Sequence, residues 1–141
     1  YMSGNFVSGR FSRRVGINLM MLAGNVATAI GVIIALAFVL TGMFTALSFF
    51  GPIALIGLGN GMTLPNANAG IVSVQPRLAG AASGLGGALQ IGAGAGMATV
   101  AGALLTPDSG ATPLLAVMLF SAVGAVFPTL YLLRQQRIIP H

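Results

Sequence analysis

The chain of 141 residues is 56% hydrophobic, and its only charged side chains are six arginines and one aspartate, which leave a formal net charge of +5. A soluble domain carries charge on roughly a quarter of its residues, so this composition excludes an ordinary soluble fold. With a single acid, a terminal histidine and no cysteine, the chain also lacks paired carboxylates, a Ser-His-Asp set and thiolate metal ligands. We therefore expect no enzyme activity, no cofactor and no metal site.

The charged residues are separated by long uncharged stretches. Arg14 and Arg77 are 62 residues apart, Arg77 and Asp108 are 30 apart, and Asp108 and Arg134 are 25 apart, counting only the residues between them. A helix that crosses a bilayer needs about 20 mostly apolar residues. The three stretches therefore predict two helices, one helix and one helix, which together make an all-α, polytopic transmembrane bundle.

In chain order, residues 1–9 are predicted to be the end of an incoming helix, and residues 10–16 a basic loop. The four spans are predicted at residues 17–40, 44–74, 78–105 and 114–133. A turn at Thr41 and Gly42 follows the first span, and residues 106–113 (TPDSGATP) form a second turn region. The tail from Arg134 is predicted to leave the membrane.

The arginines indicate how the bundle is oriented. With four spans, all six lie on one side of the membrane and only Asp108 lies in a loop on the other side. Three spans between Arg14 and Arg77 would place Arg77 on the side opposite to Arg10, Arg13 and Arg14. Cytoplasmic loops are rich in arginine, so we predict a multi-pass protein of the cell (inner) membrane with a cytoplasmic C-terminus. The same rule explains the net charge without nucleic acid as a partner.

Polar residues cluster in the second predicted span around Pro65. Amides at membrane depth are costly unless they have a partner or face water. Bonds between helices would satisfy them, but the combination with glycines and a proline favours a helix that lines a water-filled substrate cavity. The cavity candidates in this span are Asn60, Thr63, Asn66 and Asn68. Gln90 in the third span is a further candidate, for which packing between helices is the simpler interpretation.

The third predicted span carries small residues at a four-residue spacing. These are Gly80, Gly84, Ala88, Gly92 and Gly96. Small residues allow two helix backbones to approach closely in lipid. The pattern predicts either tight, rigid packing or a helix that slides against its neighbour. Pro65 is the predicted bend of the second span.

The basic cluster of Arg10, Arg13 and Arg14 has two interpretations. The first is an orientation signal alone. The second is a structured loop whose guanidinium groups cap the C-terminal ends of helices or bridge to a carboxylate of a partner helix.

Two stretches resemble the major facilitator superfamily of transporters. The segment GNFVSGRFSRRVG, residues 4–16, resembles the second copy of the basic loop motif of that family. Arg10, Arg13 and Arg14 match the basic positions, whereas Gly9 stands in place of the aspartate and Ser12 in place of the glycine. Residues 57–90, with the runs LPNA and AGAASGL, are similar to helices 10 and 11 of the Bcr/CflA-type drug:proton antiporters.

The resemblance implies that the chain is the C-terminal part of a twelve-helix transporter, from the end of helix 8 through helix 12. It implies export of small amphipathic drugs or metabolites by proton antiport, with membrane lipid, a drug-like substrate, protons and the N-terminal helices as partners. The predicted spans contain no titratable Asp, Glu or His, so we expect the proton-carrying residue to lie upstream of Tyr1. Two other classes stay open: a small oligomeric channel and a non-transporting membrane scaffold.

Overall fold

The computed structural model describes residues 1–43, 45–74, 76–106 and 110–138, and the side chains up to residue 135. The part it describes contains helices and their short connections, with no strand. Five α-helices follow one another along the chain: α1 (Met2–Val15), α2 (Ile17–Leu40), α3 (Ala46–Val74), α4 (Ala79–Leu104) and α5 (Thr112–Ile138). A 3-10 turn, Pro76–Leu78, precedes α4.

The segment predicted as a basic loop is helical, which corrects the sequence-based prediction. Helix α1 continues through Arg10, Arg13 and Arg14 to Val15, and Gly16 alone separates it from α2. Gly16 has φ 92°, a conformation that side chains with a Cβ rarely adopt, and its amide still donates to the Ser12 carbonyl at 2.9 Å. One glycine therefore makes the whole connection.

Helix α3 begins with a reciprocal cap. The amide of Ser48 donates to Thr45 Oγ1 at 3.2 Å, and the amide of Thr45 donates to Ser48 Oγ at 2.8 Å. This arrangement satisfies two amides that have no partner within the helix. Gly42, with φ 68°, makes the preceding turn. The predicted second span began at Phe44, which lies outside the described residues.

Helix α3 is unbroken through both Pro52 and Pro65. Helix α5 is longer than predicted at both ends, since it begins at Thr112, within the predicted turn, and ends at Ile138. Asp108 lies outside the described residues. The tail predicted to follow Leu133 therefore starts as a continuation of the helix.

Four helical segments are long and apolar enough to cross a membrane: Ile17–Leu40, Ala46–Val74, Pro76–Leu104 and Thr112–Gln135. The shortest has 24 residues, which is about 36 Å of helix and exceeds a hydrocarbon core of about 30 Å. The all-helical fold with four such helices agrees with the sequence-based prediction.

The four long helices form a ring of neighbours. Helix α2 packs against α3 and α5, and α4 packs against the same two helices from the other side. Within the described ranges α2 does not contact α4, and α3 does not contact α5. Only 6% of the most apolar window of α4 is buried, against 28% for α2. Helix α2 is thus the centre of the packing and α4 its least covered member.

Helices α2 and α3 approach each other closely at a reciprocal Gly-Thr contact. A Cβ on Gly24 would collide with Thr63 Oγ1 and the Gly59 carbonyl, and a Cβ on Gly59 would collide with Thr28 Oγ1 and the Gly24 carbonyl. Each helix thus contributes a glycine and, four residues later, a threonine. Two small residues per helix bring the backbones together, as expected for helix pairs in lipid.

Helix α1 approaches α3 in a similar way, at Gly4 and Gly61. A Cβ on Gly4 would collide with the carbonyl of Leu58, and one on Gly61 would collide with the carbonyl of Tyr1. The short first helix is therefore held against α3 by backbone contact rather than by large side chains.

The predicted glycine stripe of α4 does not make such a contact. In the part of the chain that the structure describes, no atom of a neighbouring element lies within 4 Å of a Cβ built on Gly80, Gly84, Gly92 or Gly96. Gly86, which lies off that stripe, meets Ile71 of α3. The spacing that predicted close packing is present in α4, but close packing occurs where α3 meets α1 and α2.

Candidate functional site

The five predicted cavity residues separate into two groups. Thr63 and Asn66 point into contacts between helices, and Asn66 is only 2% exposed. Asn60, Asn68 and Gln90 are exposed, as is Pro65. The sequence cluster in α3 is therefore divided between a packed side and an open side of the same helix.

On the packed side, a chain of hydrogen bonds joins three helices. Thr63 of α3 donates to Asn25 Oδ1 of α2 at 3.2 Å, and Asn25 Nδ2 donates to Thr129 Oγ1 of α5 at 3.0 Å. The Thr129 hydroxyl in turn donates to the Ala125 carbonyl at 2.8 Å, which also accepts from Asn25 Nδ2 at 3.2 Å. Thr63, Asn25 and Thr129 each donate toward the Ala125 carbonyl, so the side-chain polar groups of these three residues all have partners.

A second set of bonds ties α1 to α3. Asn66 Nδ2 donates to Ser8 Oγ at 2.8 Å and to the Met62 carbonyl at 2.6 Å. Ser8 Oγ also lies 3.2 Å from Ser12 Oγ one turn later. Both amide donors of Asn66 are occupied within the protein, which is the packing role that amides commonly have between membrane helices.

The three exposed amides lie on the sides of α3 and α4 that face each other. Ile71 of α3 contacts Gly86 of α4, which marks the facing sides. At 3.6 residues per turn, Asn60 lies about 20° and Asn68 about 60° from Ile71 around α3, and Gln90 lies about 40° from Gly86 around α4. We call Asn60, Asn68 and Gln90 the amide face.

The amide face lies within segments that are long and apolar enough to cross a membrane. Asn60 and Asn68 fall within the apolar helix Ala46–Val74, and Gln90 falls within Pro76–Leu104. Lipid offers no hydrogen-bond partner, so exposed amides there need water, another protein segment or a ligand. The arrangement can provide weak, uncharged hydrogen bonding to a solute between two helices.

An apolar cavity of about 610 Å³ lies at the end of the bundle opposite the arginines. It is an open cavity bordered by the end of α2, the start of α3 and the start of α5. Its walls include Phe38, Met43, Phe49, Ile53, Leu115 and Met118. This volume suits a drug-sized molecule, and methionine side chains adapt to ligands of different shapes.

The arginines with described side chains all lie at the other end. Arg10, Arg13 and Arg14 are in the final turns of α1, Arg77 is in the turn between α3 and α4, and Arg134 is near the end of α5. Arg13 and Arg14 lie in the last turn of α1, where positive charge is favourable beside the helix dipole. Both interpretations of the basic cluster stay predictions.

Sequence reasoning missed the central member of the buried polar chain. Asn25 was detectable as an amide inside a strongly apolar segment, one residue after a glycine. The shared G-x-x-x-T spacing of Gly24 and Thr28 with Gly59 and Thr63 was a second available signal. Thr129 and Ser8 carried no signal, because single hydroxyls are common in membrane helices and usually bond to their own backbone.

Comparison with family models, curated proteins and solved structures finds no match to this chain. The resemblance to major facilitator transporters therefore stays a prediction.

Proposed function

We propose that this chain is a segment of a membrane transporter that exports small amphipathic drugs or metabolites by proton antiport. In this proposal the segment works with further transmembrane helices, as in a twelve-helix major facilitator transporter of the Bcr/CflA type. The C-terminus is cytoplasmic, in line with the arginines at one end of the bundle. The protein sits in the cell's inner membrane.

The observation that carries the proposal is the amide face. Asn60 and Asn68 on α3, together with Gln90 on α4, are exposed at membrane depth on sides of two helices that face each other. A passage that admits water and a polar part of a substrate satisfies these groups, whereas lipid does not. Helix α4 has little other contact, so it is the element that further helices would cover.

The apolar cavity supports the amphipathic character of the substrate. A ligand with an apolar body would find aromatic and methionine side chains there, such as Phe38, Phe49 and Met118. Its polar part would find Asn60 of the amide face, which lies about one helical turn beyond Ile56 of the cavity wall. Uncharged amides can pair with donors and acceptors alike, which suits an exporter of several compounds.

The proposal is tested by measuring whether water reaches the amide face and whether an exported drug protects it from labelling. The chain has no cysteine, so single cysteines at positions 60, 68 and 90 of the full-length protein can be labelled without background from this segment. We expect a water-soluble maleimide to label Asn60→Cys and Gln90→Cys, and an exported drug to slow the labelling. Phe120→Cys on α5 is the control: Phe120 is 76% exposed on an apolar helix and should face lipid and stay unlabelled.

Labelling of the control, with none at the amide face, would overturn the proposal.

The buried polar contacts favour a second candidate, a non-transporting scaffold, because Asn66 is fully packed against Ser8. A scaffold predicts no drug protection at any of the three positions. A small oligomeric pore, in which a second copy covers α4, predicts conductance by the purified protein without a proton gradient.

A further inference from the structure

A groove between α2 and α5 opens at the arginine end of the bundle. Its volume is about 810 Å³, and its walls are formed mainly by leucines, including Leu19 and Leu22 of α2 and Leu130 and Leu133 of α5. Phe127 of α5 lies farthest from the arginine end among its lining residues on that helix. It shares no residue with the amide face or the apolar cavity.

The two polar residues of the groove lie at its mouth. Tyr131 and Arg134 flank the leucines near the C-terminal end of α5, and both are exposed. The Tyr131 hydroxyl accepts a hydrogen bond from Gln135 Nε2 at 2.8 Å, so its own hydrogen is available to donate. From Phe127 to Arg134 the groove runs roughly 10 Å along the axis of α5.

This distribution matches one kind of membrane component. The leucine walls fit the upper part of an acyl chain, and the guanidinium group at the mouth fits a phosphate, to which arginine donates two parallel bonds. Tyrosine and arginine at the end of an apolar helix occupy the headgroup level of a bilayer. Basic pockets between helices on the cytoplasmic side are suited to anionic headgroups.

We propose that the α2–α5 groove binds an anionic phospholipid, with an acyl chain along Leu19, Leu22 and Leu130 and the headgroup phosphate at Arg134 and Tyr131. The occupant is selected by charge complementarity. Arg10, Arg13 and Arg14 lie at the same end and add to the positive potential there. The inference does not depend on drug export.

The test measures lipid retained by the full-length protein in mild detergent, using native mass spectrometry with added phosphatidylglycerol or phosphatidylcholine. We expect wild-type protein to prefer phosphatidylglycerol, and Arg134→Gln to lower that preference about fivefold, equivalent to about 1 kcal/mol. Arg77→Gln is the matched control, because Arg77 is an exposed arginine at the same end but outside the groove. It should leave the preference unchanged, and Arg134→Lys should keep most of it.

Two further measurements keep the outcomes distinct. Leu130→Trp, which fills the groove, should lower retention of both lipids, and inorganic phosphate should fail to displace bound phosphatidylglycerol. Equal loss in the Arg77 and Arg134 variants would show a general surface potential and overturn the proposal. Displacement by phosphate alone, or a Leu130→Trp variant that retains lipid normally, would show that no acyl chain lies in the groove. The proposal would also be overturned if the wild-type protein retained no lipid because a second copy or another helix covers the groove.

Discussion

Asn25 of α2 accepts a hydrogen bond of 3.2 Å from the hydroxyl of Thr63 of α3, directly beside a point where the two helices approach each other closely. The reciprocal threonine, Thr28, occupies the corresponding place against Gly59, but its Oγ1 is buried without a hydrogen-bond partner among the described residues. Thr63 and Thr28 each pack against a glycine of the facing helix, but only the Thr63 hydroxyl has a hydrogen-bond partner there. This contrast gives a clean measure of that bond.

We expect Thr63→Val to destabilise the protein by about 0.6 to 1.7 kcal/mol, because Asn25 Oδ1 loses its donor in a buried site. Thr28→Val keeps the same shape and removes an unpartnered hydroxyl, so it should be neutral or slightly stabilising. The measurement is unfolding of the full-length protein by added denaturing detergent. Equal destabilisation by both changes would mean that packing rather than the hydrogen bond dominates.

The backbone contact between α2 and α3 can be tested with one methyl group. Gly24→Ala places a Cβ against the Gly59 carbonyl and Thr63 Oγ1, and overpacking of this kind costs about 1 to 3 kcal/mol. Gly92→Ala is the control, since no atom of another described element lies within 4 Å of its Cβ position. It should be tolerated or slightly stabilising, because alanine favours helix more than glycine does. Thermal unfolding in detergent reports both, and a stable Gly24→Ala variant would contradict the contact.

Asn66 and Asn68 are two residues apart but lie on different sides of α3, so we expect their substitution by alanine to have different consequences. Asn66→Ala removes the bonds to Ser8 and to the Met62 carbonyl, so we expect about 1 kcal/mol of destabilisation and a smaller amount of folded protein. Asn68→Ala alters an exposed group of the amide face and should change drug resistance at normal expression. Resistance assays normalised to membrane expression separate the two effects. A normally expressed Asn66→Ala variant with altered resistance would return Asn66 to the substrate path.

The orientation predicted from the arginines can be checked by labelling intact cells. A cysteine at Ser109 should react with an impermeant reagent from outside, and one at Gln136 should react only after the cells are opened. The physical reason is that arginine-rich ends stay in the cytoplasm during insertion. The reverse pattern of labelling would refute the proposed orientation.

The proposed export requires a group that binds and releases a proton. Asp108 is the only acidic side chain of the sequence, and it lies in the loop predicted between the third and fourth spans. Arginine does not deprotonate in proteins, so we expect the proton-carrying group to lie upstream of Tyr1. Asp108→Asn should therefore leave proton-driven export nearly normal, measured as drug efflux from energised vesicles. Loss of coupling at normal expression would place Asp108 in the proton path.

The sequence determined the helices and their number, because charge cannot be buried in lipid and the spacing of Arg14, Arg77 and Arg134 leaves room for four apolar spans. It also placed a polar cluster in α3. It misjudged the segment from Arg10 to Val15, which is helical, because basic residues mark the end of a membrane span equally well in a loop or in a helix.

Only the tertiary structure decided which face of each helix is used. Six degrees of freedom relate two packed helices, and four-residue spacing of small side chains is compatible with many of them. The glycines of α4 and those of α2 look alike in the sequence, but Gly24 meets Gly59 and Thr63, whereas Gly92 meets no described neighbour. For the same reason the rotation of α3 places Asn66 against Ser8 and leaves Asn60 and Asn68 on the open side beside α4.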